Sequence, residues 1–514
     1  MNQPLNRRDF LKLAGLLSAS YALPQFIAPT NALPQNANVQ NVLIVVFDAF
    51  SAHNMSLYGY PRKTTPNIER LAEKAIVYHN HFSGGNFTTP GTASLLTGTL
   101  PWTHRAMGFP AKTVTQTFAT KSLFHTFPNY HRMAYSHNPL ANSVLKAFFR
   151  EIEDYVPREQ LFLEKNQLIN SFFKKDEDIA SVSAVRALKP QEDHSNYSLF
   201  FARIYEALRT RKYVDLLQHF PRGLPNINTD DYFLLENGID WLRDQVATVP
   251  QPFLSYYHFL PPHNPYATRD DFFGTFQGDG YRPPEKPKHL FNRGVGTARL
   301  LEQRQWYDEF ILYVDAEFAR LYQGLESAGI LENTWLVLTS DHGELFERGV
   351  RGHSTYLLHQ PVIHIPLLIF PPGQQTRQDI TEKTSALDVL PTLAHLTGQE
   401  RPAWGEGTLL PPFGPSAPDR PIFVLESEKT PENAPITQGT VALVQGNYKL
   451  MYFFGYNELD GSELLELYDL ENDPEELNNL YSTQKSIGDE MLSTVKEQLQ
   501  EKNLPYLEQI ETHP

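Results

Sequence analysis

Residues 41–48 read Asn-Val-Leu-Ile-Val-Val-Phe-Asp, a short run of mostly β-branched apolar residues that ends in an aspartate. Such a run is typical of a strand that is buried on both faces, as in a parallel sheet. Residues 334–341 repeat the pattern, because an apolar run is again followed by Asp341. Ligands of parallel α/β sheets bind at the carboxyl ends of the strands, so Asp48 and Asp341 are expected to face one site.

Other segments indicate the same fold class. Apolar runs at 251–259 and 365–370 predict two more core strands, and helical patterns lie at 66–77 and 303–328. Strands that alternate with helices are typical of a doubly wound, mostly parallel α/β sheet. A further helix is expected to start at Ser94, after a loop rich in threonine, glycine and proline.

The remaining segments differ in composition. Residues 145–250 are helix-prone, contain Phe-Phe pairs, and are interpreted as a helical insert or cap on a catalytic domain at 33–400. Residues 401–420 are rich in proline and glycine and predict a linker. Residues 421–514 predict a smaller C-terminal α+β subdomain, with antiparallel strands at 441–443 and 448–454 and a helix at 487–502.

The overall composition excludes several classes of protein. The 514 residues include 44 Lys and Arg against 59 Asp and Glu, which gives a net charge of −15. Nucleic-acid-binding proteins usually carry a basic surface, so no nucleic-acid partner is expected. The chain has no cysteine, which excludes disulfides, thiolate metal sites and a cysteine nucleophile.

The first 32 residues predict an export signal. Arg7 and Arg8 precede Phe10-Leu11-Lys12 and a weakly apolar stretch, which is shorter than the ~20 apolar residues that span a membrane. Small residues around Ala32 suit cleavage. The segment resembles a twin-arginine signal peptide. We therefore expect the twin-arginine machinery to export the chain, leaving a soluble periplasmic or other extracytoplasmic protein after cleavage.

Asp48, Asp341 and His342 together offer two carboxylates and an imidazole, which suit a divalent metal ion. Taken singly, Asp48 could instead cap a helix, and Asp341 to Gly343 could form a simple turn. Nitrogen ligation by His342 favours manganese or zinc, and calcium remains open. A second metal would need further ligands at an Asp-x-x-x-His spacing. Residue 259, four before His263, is a phenylalanine, so one ion is expected.

Residues 86–98 read Asn-Phe-Thr-Thr-Pro-Gly-Thr-Ala-Ser-Leu-Leu-Thr-Gly. This stretch resembles the nucleophile loop of sulfatases, in the alkaline phosphatase superfamily. The family pattern is Cys or Ser, any residue, Pro, Ser, Arg, any residue, then Ser-Leu-Leu-Thr-Gly. Pro90 and residues 94–98 match it. The nucleophile position falls on Thr88, and the arginine position falls on Thr92.

The resemblance covers nearly the whole mature chain, through matching segments at 47–50, 58–60, 65–72, 262–266, 340–344, 352–353, 448–450 and 467–480. It implies an alkaline phosphatase-like fold with Asp48, Thr88, Asp341 and His342 around the metal. It also implies catalytic roles for Thr88, His263 and His353. The other histidines considered are His258, a second proton-donor candidate or a core residue, and the weaker His104, His359 and His364. His137 and Asn138 stand roughly where sulfatases place a substrate-binding lysine.

Several residues depart from the sulfatase pattern. Sulfatases oxidise the Cys or Ser to formylglycine, and the second hydroxyl of its hydrate later expels sulfate. Thr88 does not fit that conversion. Thr92 occupies the position of an arginine that supports formylglycine in the sulfatases. Ala49 occupies the position at which many sulfatases carry a second aspartate. His342 occupies the position at which calcium-binding members of the family often have an asparagine. Threonine nucleophiles occur in related phosphodiesterases and in phosphoglycerol and phosphoethanolamine transferases.

The resemblance and its departures together predict a metal-dependent hydrolase of phosphate or phosphonate esters, related to the phosphonate monoester hydrolases. The cation would lower the pKa of the Thr88 hydroxyl, the cation and His263 would neutralise the transferred group, and His353 would protonate the leaving group. A phosphorylated Thr88 can be released by in-line attack of water. The alternatives are a sulfatase without formylglycine, a transferase of the related types, and an inactive fold that binds anionic glycans or lipids. The substrate would be a small-molecule, lipid or glycan ester.

Overall fold

The computed structural model describes residues 39–108, 113–163, 211, 213–226 and 231–512. The predicted signal peptide at 1–32 lies outside these residues, and so does a large part of the predicted insert, 164–210. The described residues form one compact unit.

The described chain contains two large sheets and a short hairpin. Its strands are β1 Asn41–Asp48, β2 Ile76–Phe82, β3 His131–Ser136, β4 Asp154–Tyr155, β5 Phe253–Pro262, β6 Thr334–Thr339, β7 Phe346–Glu347, β8 Val350–Arg351, β9 Leu367–Phe370, β10 Gln378–Ser385, β11 Ile422–Glu426, β12 Gly439–Gln445, β13 Tyr448–Phe454 and β14 Leu464–Asp469. Its helices are α1 Pro66–Leu71, α2 Thr88–Thr97, α3 Pro101–His104, α4 Leu123–Thr126, α5 Pro139–Lys146, α6 Leu235–Val246, α7 Thr297–Ser327, α8 Gln360–Ile363, α9 Val389–Leu396 and α10 Lys485–Thr512.

The larger sheet has eight strands in the order β10-β2-β9-β6-β1-β5-β3-β4. Strand β1 lies at its centre and pairs in parallel with both β5 and β6. Only β9 runs against its neighbours, β2 and β6. The predicted fold class, a mostly parallel α/β sheet, is therefore confirmed.

Apolar clusters cover both faces of this sheet. In β1, Leu43, Val45 and Phe47 pack into a cluster that includes residues of α7. The alternate residues Val42, Ile44 and Val46 pack into a second cluster, which includes residues of α2 and α9. Because successive side chains of a strand point to opposite faces, this division explains why β1 is apolar at nearly every position.

Three elements occur where they were predicted but with different bounds. The helix expected at 66–77 ends at Leu71, and residues 76 and 77 belong to β2. Their branched side chains are buried and suit a strand. The strand expected at 365–370 spans only Leu367–Phe370 and is antiparallel to its neighbours.

The third difference concerns α2, which begins at Thr88 rather than at Ser94. Pro90 lies in the first helical turn, where the missing N–H group is not needed. Gly91 is required by close packing, because a Cβ atom there would lie 2.2 Å from the carbonyl oxygen of Asp341. The helix N-terminus therefore lies directly against the segment that follows β6.

The smaller sheet is antiparallel, in the order β11-β12-β13-β14, and lies in the C-terminal part of the chain as predicted. Strands β12 and β13 include the two segments that alternate in the sequence. Within the predicted linker, Leu410 is buried in the second apolar cluster of the large sheet, and Arg420 pairs with Asp388. None of the described helices has the length and apolar character needed to cross a membrane.

A buried charge network joins the C-terminal part of the chain to the segment that precedes α8. The Glu476 carboxylate is fully buried, forms an ion pair with Lys449 of β13, and accepts hydrogen bonds from His359 Nδ1 at 3.1 Å and the Gln360 N–H at 2.8 Å. Lys449 Nζ also donates to the carbonyl oxygen of Leu358 at 2.9 Å. Burial by itself would raise the pKa of Glu476, but Lys449 and His359 hold it well below its ordinary value.

Replacing Glu476 with Ala is expected to destabilise the fold strongly, because it leaves the Lys449 ammonium buried without its partner. Loss of one member of a buried ion pair costs about 3–5 kcal/mol. Urea unfolding followed by circular dichroism measures the change. Glu490→Ala, at an exposed position of α10, is the control and should alter the free energy of unfolding by less than about 0.5 kcal/mol. Equal stability of the two variants would contradict the importance of this network.

Candidate active site

Two aspartates lie at the carboxyl ends of neighbouring strands, as the sequence predicts. Asp48 is the last residue of β1, and Asp341 follows β6 by two residues. The register pairs Val46 with Thr339, so the two strands end at the same edge of the sheet. Both carboxylates are buried.

His342 completes a cluster with these two carboxylates. Its Nε2 atom lies 3.4 Å from Asp48 Oδ1 and 3.4 Å from Asp341 Oδ2. One ligand atom from each of the three residues can be chosen so that all lie within 4.8 Å of one another. The structure therefore brings together three of the four side chains that the sequence predicts around the metal.

The chemistry of these atoms fits a divalent cation. His342 Nδ1 donates a hydrogen bond to the carbonyl oxygen of Gly343 at 2.9 Å, which leaves a lone pair on Nε2. Asp48 Oδ1 and Asp341 Oδ2 have no hydrogen-bond donor among the described residues. Burial lowers the pKa of His342, while burial and the neighbouring charge of Asp48 raise the pKa of Asp341. Three electron-rich atoms thus face one another, an arrangement that a cation stabilises.

Thr88 lies beside this cluster, at the first position of α2. Its Oγ1 atom is 3.4 Å from His342 Nε2 and 3.1 Å from Asn138 Nδ2. A helix N-terminus carries partial positive charge, which favours negative charge that develops on or near Thr88. The Thr88 hydroxyl is therefore placed where a nucleophile would act on an anionic group.

Asn138 has a role in the site that the sequence did not reveal. Its Oδ1 atom accepts a hydrogen bond from the Leu140 N–H at 2.7 Å and caps α5, so the amide nitrogen faces the site. That nitrogen donates to Asp48 Oδ2 at 2.5 Å and to Thr88 Oγ1 at 3.1 Å. One side chain therefore positions both a metal-ligand candidate and the nucleophile candidate.

His258 lies behind the carboxylates. Its Nε2 atom is 3.1 Å from Asp48 Oδ2 and 3.6 Å from Asp341 Oδ2, and Nδ1 is 3.0 Å from the hydroxyl of Tyr256. The ring is fully buried, and His258 is not among the residues that line the adjacent cavity. This position suits His258 for orienting Asp48 rather than for protonating a leaving group.

A cavity of about 440 Å³ opens beside Thr88, and we call it the Thr88 cavity. Its lining residues are Phe87, Thr88, Asn138, Pro139, Leu140, Leu260, His263, Asn264, Arg293, Arg351, Gly352, His353 and Ser354. Both histidines predicted as catalytic therefore share one cavity with the predicted nucleophile.

Hydrogen bonds orient the two cavity histidines. His263 Nδ1 donates to the carbonyl oxygen of Asn264 at 2.6 Å, and His353 Nδ1 donates to Glu344 Oε2 at 3.2 Å. The Nε2 atom of each ring is then the nitrogen available to a substrate. Burial by itself would raise the pKa of Glu344, but the charge and hydrogen bond of His353 lower it. An ionised Glu344 therefore fixes the orientation of His353.

The remaining histidines lie outside the Thr88 cavity. His104 contacts Ser94 Oγ at 3.1 Å, His359 contacts Glu476, and His364 Nε2 donates to the carbonyl oxygen of His79 at 2.9 Å. His137 stacks on Phe233, with 4.2 Å between ring centroids. His137 therefore has a packing role, and the other three side chains have roles in hydrogen bonding away from the cavity.

Comparison with known proteins agrees with this geometry. The family model described as sulfatase matches residues 40–399, more than half of the chain. A second model, described as the C-terminal region of N-sulphoglucosamine sulphohydrolase, matches residues 353–504. Two curated relatives are a choline-sulfatase of Rhizobium meliloti and the multifunctional alkaline phosphatase superfamily protein PehA of Trinickia caryophylli. The choline-sulfatase is 24% identical to this chain, and the match covers 86% of this chain and 82% of the relative. PehA is 22% identical, and the match covers 86% of this chain and 91% of the relative.

Two solved structures share the fold. A phosphonate monoester hydrolase from Silicibacter pomeroyi superposes with a TM-score of 0.64 at 18% identity, covering 90% of this chain and 96% of the other. The phosphonate monoester hydrolase of Agrobacterium radiobacter gives a TM-score of 0.61 at 18% identity, covering 91% and 96%. The family resemblance drawn from residues 86–98 is therefore confirmed. The chain belongs to the sulfatase family of the alkaline phosphatase superfamily, a family of metal-dependent hydrolases of sulfuric and phosphoric esters.

Proposed function

We propose that this protein is an exported, metal-dependent hydrolase of phosphate or phosphonate esters that uses Thr88 as its nucleophile. The observation that carries the proposal is the position of Thr88 Oγ1, 3.4 Å from a metal-ligand candidate and 3.1 Å from the Asn138 amide, in the wall of the Thr88 cavity. A hydroxyl that served only packing would not need a hydrogen-bond donor, an imidazole nitrogen and two carboxylates around it.

The chain's own residues would carry out the following steps. Thr88 Oγ1, which has given up its proton to solvent, attacks phosphorus, the phosphorus–oxygen bond to the alcohol breaks, and His353 passes a proton to the departing oxygen. Asn138 stabilises the deprotonated Thr88 oxygen by donating a hydrogen bond, and His263 binds the oxygens of the transferred group. Water then gives a proton back to His353 and attacks phosphorus, the bond between phosphorus and Thr88 Oγ1 breaks, and phosphate or phosphonate is released.

Asp48, Asp341 and His342 would hold one divalent ion in this enzyme, with Thr88 beside them. When bound, the ion supplies positive charge that lowers the pKa of the Thr88 hydroxyl and neutralises the transferred group. We propose manganese or zinc rather than calcium, because an imidazole nitrogen among the ligands favours the softer ions.

Export through the twin-arginine route is part of the proposal and rests on the Arg7-Arg8 segment. The mature enzyme would then act in the periplasm or another extracytoplasmic space.

A second candidate is a sulfatase that uses Thr88 without formylglycine. Both family models carry sulfatase descriptions, and a choline-sulfatase is among the relatives. Phosphoryl transfer is favoured because a sulfated threonine has no second hydroxyl to expel sulfate and must be hydrolysed at sulfur. An inactive fold that binds anionic glycans or lipids would show no turnover and no modified Thr88 in the first test below. A transferase of the phosphoglycerol or phosphoethanolamine type would pass the group from Thr88 to an added alcohol rather than to water.

Replacing Thr88 with Val should lower kcat/KM for the best aryl phosphate or phosphonate ester by roughly a thousandfold or more, because the nucleophile is lost but the branched shape is kept. Thr88→Ser should retain measurable activity. Thr97→Val, at the other end of α2, is the control. Accurate-mass peptide mapping after an acid quench should find the transferred group on Thr88 and distinguish a phosphoryl from a sulfuryl group. Full activity in Thr88→Val would contradict the mechanism.

Removal of the metal should lower the melting temperature as well as the activity. A ligand present at 100 times its Kd stabilises the folded state by about 2.7 kcal/mol, so adding manganese or zinc to chelator-treated protein should raise the melting temperature by a few degrees. Asp341→Asn keeps the side-chain shape but removes a charge, and should abolish this rise. Asp244→Asn, at an exposed position of α6, should preserve it. No metal-dependent rise in the unaltered protein would refute the metal site.

A further inference from the structure

The Thr88 cavity carries more positive charge than the reacting group requires. Its ionisable lining residues are Arg293, Arg351, His263 and His353, and none of the residues in its lining is acidic. In the proposed function, His263 and His353 serve the transferred group together with the cation. The two arginines have no part in that chemistry.

Neither arginine is neutralised within the described part of the chain. Arg351 Nη1 donates to Gln303 Oε1 at 3.1 Å, and Arg293 Nη2 donates to the carbonyl oxygen of Ser354. No carboxylate of the described residues lies within 4.0 Å of either guanidinium group. By contrast, Arg62 and Arg269 are each paired with carboxylates at 2.7 Å or less.

The same hairpin holds both arginines in place. Arg351 is the last residue of β8, and the Arg293 N–H donates to the carbonyl oxygen of Gly349, in the turn between β7 and β8, at 3.0 Å. The chain continues from Arg351 to His353. The two guanidinium groups therefore belong to the cavity wall that also carries a catalytic candidate.

We infer that the preferred substrate carries a second anionic group, a carboxylate, phosphate or sulfate on its alcohol portion, which Arg293 and Arg351 bind. Guanidinium groups form strong, directional hydrogen bonds with such groups. Phe87, Leu140 and Leu260 offer apolar contact to the carbon skeleton between the two anionic groups. The same charges disfavour an ester whose alcohol carries a quaternary ammonium group. The inference deepens the proposed function and rests on it for the identity of the reacting group.

Binding of stable anions tests the inference without turnover. The probes are phenylphosphonate and its 3-carboxy and 4-carboxy derivatives, which have a carbon–phosphorus bond and no ester. Isothermal titration to the manganese-loaded full chain should show at least one carboxylated probe binding roughly tenfold more tightly than phenylphosphonate, as expected for a charge-assisted hydrogen bond.

Substitutions assign the preference to the arginines. Arg351→Gln or Arg293→Gln should reduce the preference to about twofold and leave the affinity for phenylphosphonate within about twofold, because one charge-assisted contact is lost. Arg299→Gln removes the same charge from an exposed position of α7 and is the control, with the preference retained.

The outcomes separate this inference from the proposed function. If neither carboxylated probe binds more tightly than phenylphosphonate, or if Arg351→Gln and Arg293→Gln weaken all three probes equally, the inference is overturned. A different outcome is that the carboxylated probe binds more tightly and the arginine variants lose this preference, but the protein hydrolyses no phosphate or phosphonate ester. In that case the second anion site stands and the proposed function fails.

Discussion

The mutual repulsion of three buried, electron-rich atoms is the constraint on which the site depends. Asp48 Oδ1, Asp341 Oδ2 and His342 Nε2 face one another without a hydrogen-bond donor among the described residues for either carboxylate oxygen. Burial makes such an arrangement costly unless a cation compensates it. The parallel pairing of β1 with β6 and the absence of a side chain at Gly91 both serve to hold these atoms and Thr88 close together.

The sequence predicted the parts of the site that short motifs encode. Asp48 and Asp341 were predictable because each follows a continuous apolar strand, and parallel strands end at one edge of a sheet. The resemblance placed Asn138 near a substrate-binding position, but its contacts with Asp48 and Thr88 were not predictable, since an asparagine before a proline also fits a simple helix cap. It does cap α5, and its amide nitrogen gains its second role only because β3 brings it next to β5 and β1. The start of α2 at Thr88 was likewise hidden, because proline and glycine favour a loop unless tertiary packing stabilises a helix.

The departures from the sulfatase pattern leave α2 without a charged side chain. Thr92 stands at the arginine position of the family pattern, and its side chain is buried. Positive charge lies across the Thr88 cavity, on Arg293 and Arg351. A neutral amide from Asn138 contacts the Thr88 oxygen. This arrangement places two arginines in the wall of the cavity, and it places a neutral hydrogen-bond donor and the metal-ligand candidate His342 beside the hydroxyl proposed as the nucleophile.

The C-terminal part of the chain supports this geometry through backbone hydrogen bonds. The Glu476 carboxylate accepts a hydrogen bond from the Gln360 N–H at the start of α8. Further along α8, the carbonyl oxygens of Val362 and Pro361 accept hydrogen bonds from the N–H groups of Gly343 and Glu344, at 2.7 and 2.9 Å.

The loop fixed in this way carries His342 on one side and the carboxylate that orients His353 on the other. A Cβ atom at Gly343 would lie 2.1 Å from the Pro361 carbonyl oxygen, so the contact leaves no room for adjustment. The metal-ligand candidate and the proton-donor candidate are therefore positioned by one short loop, whose conformation depends on a buried glutamate more than 130 residues further along the chain.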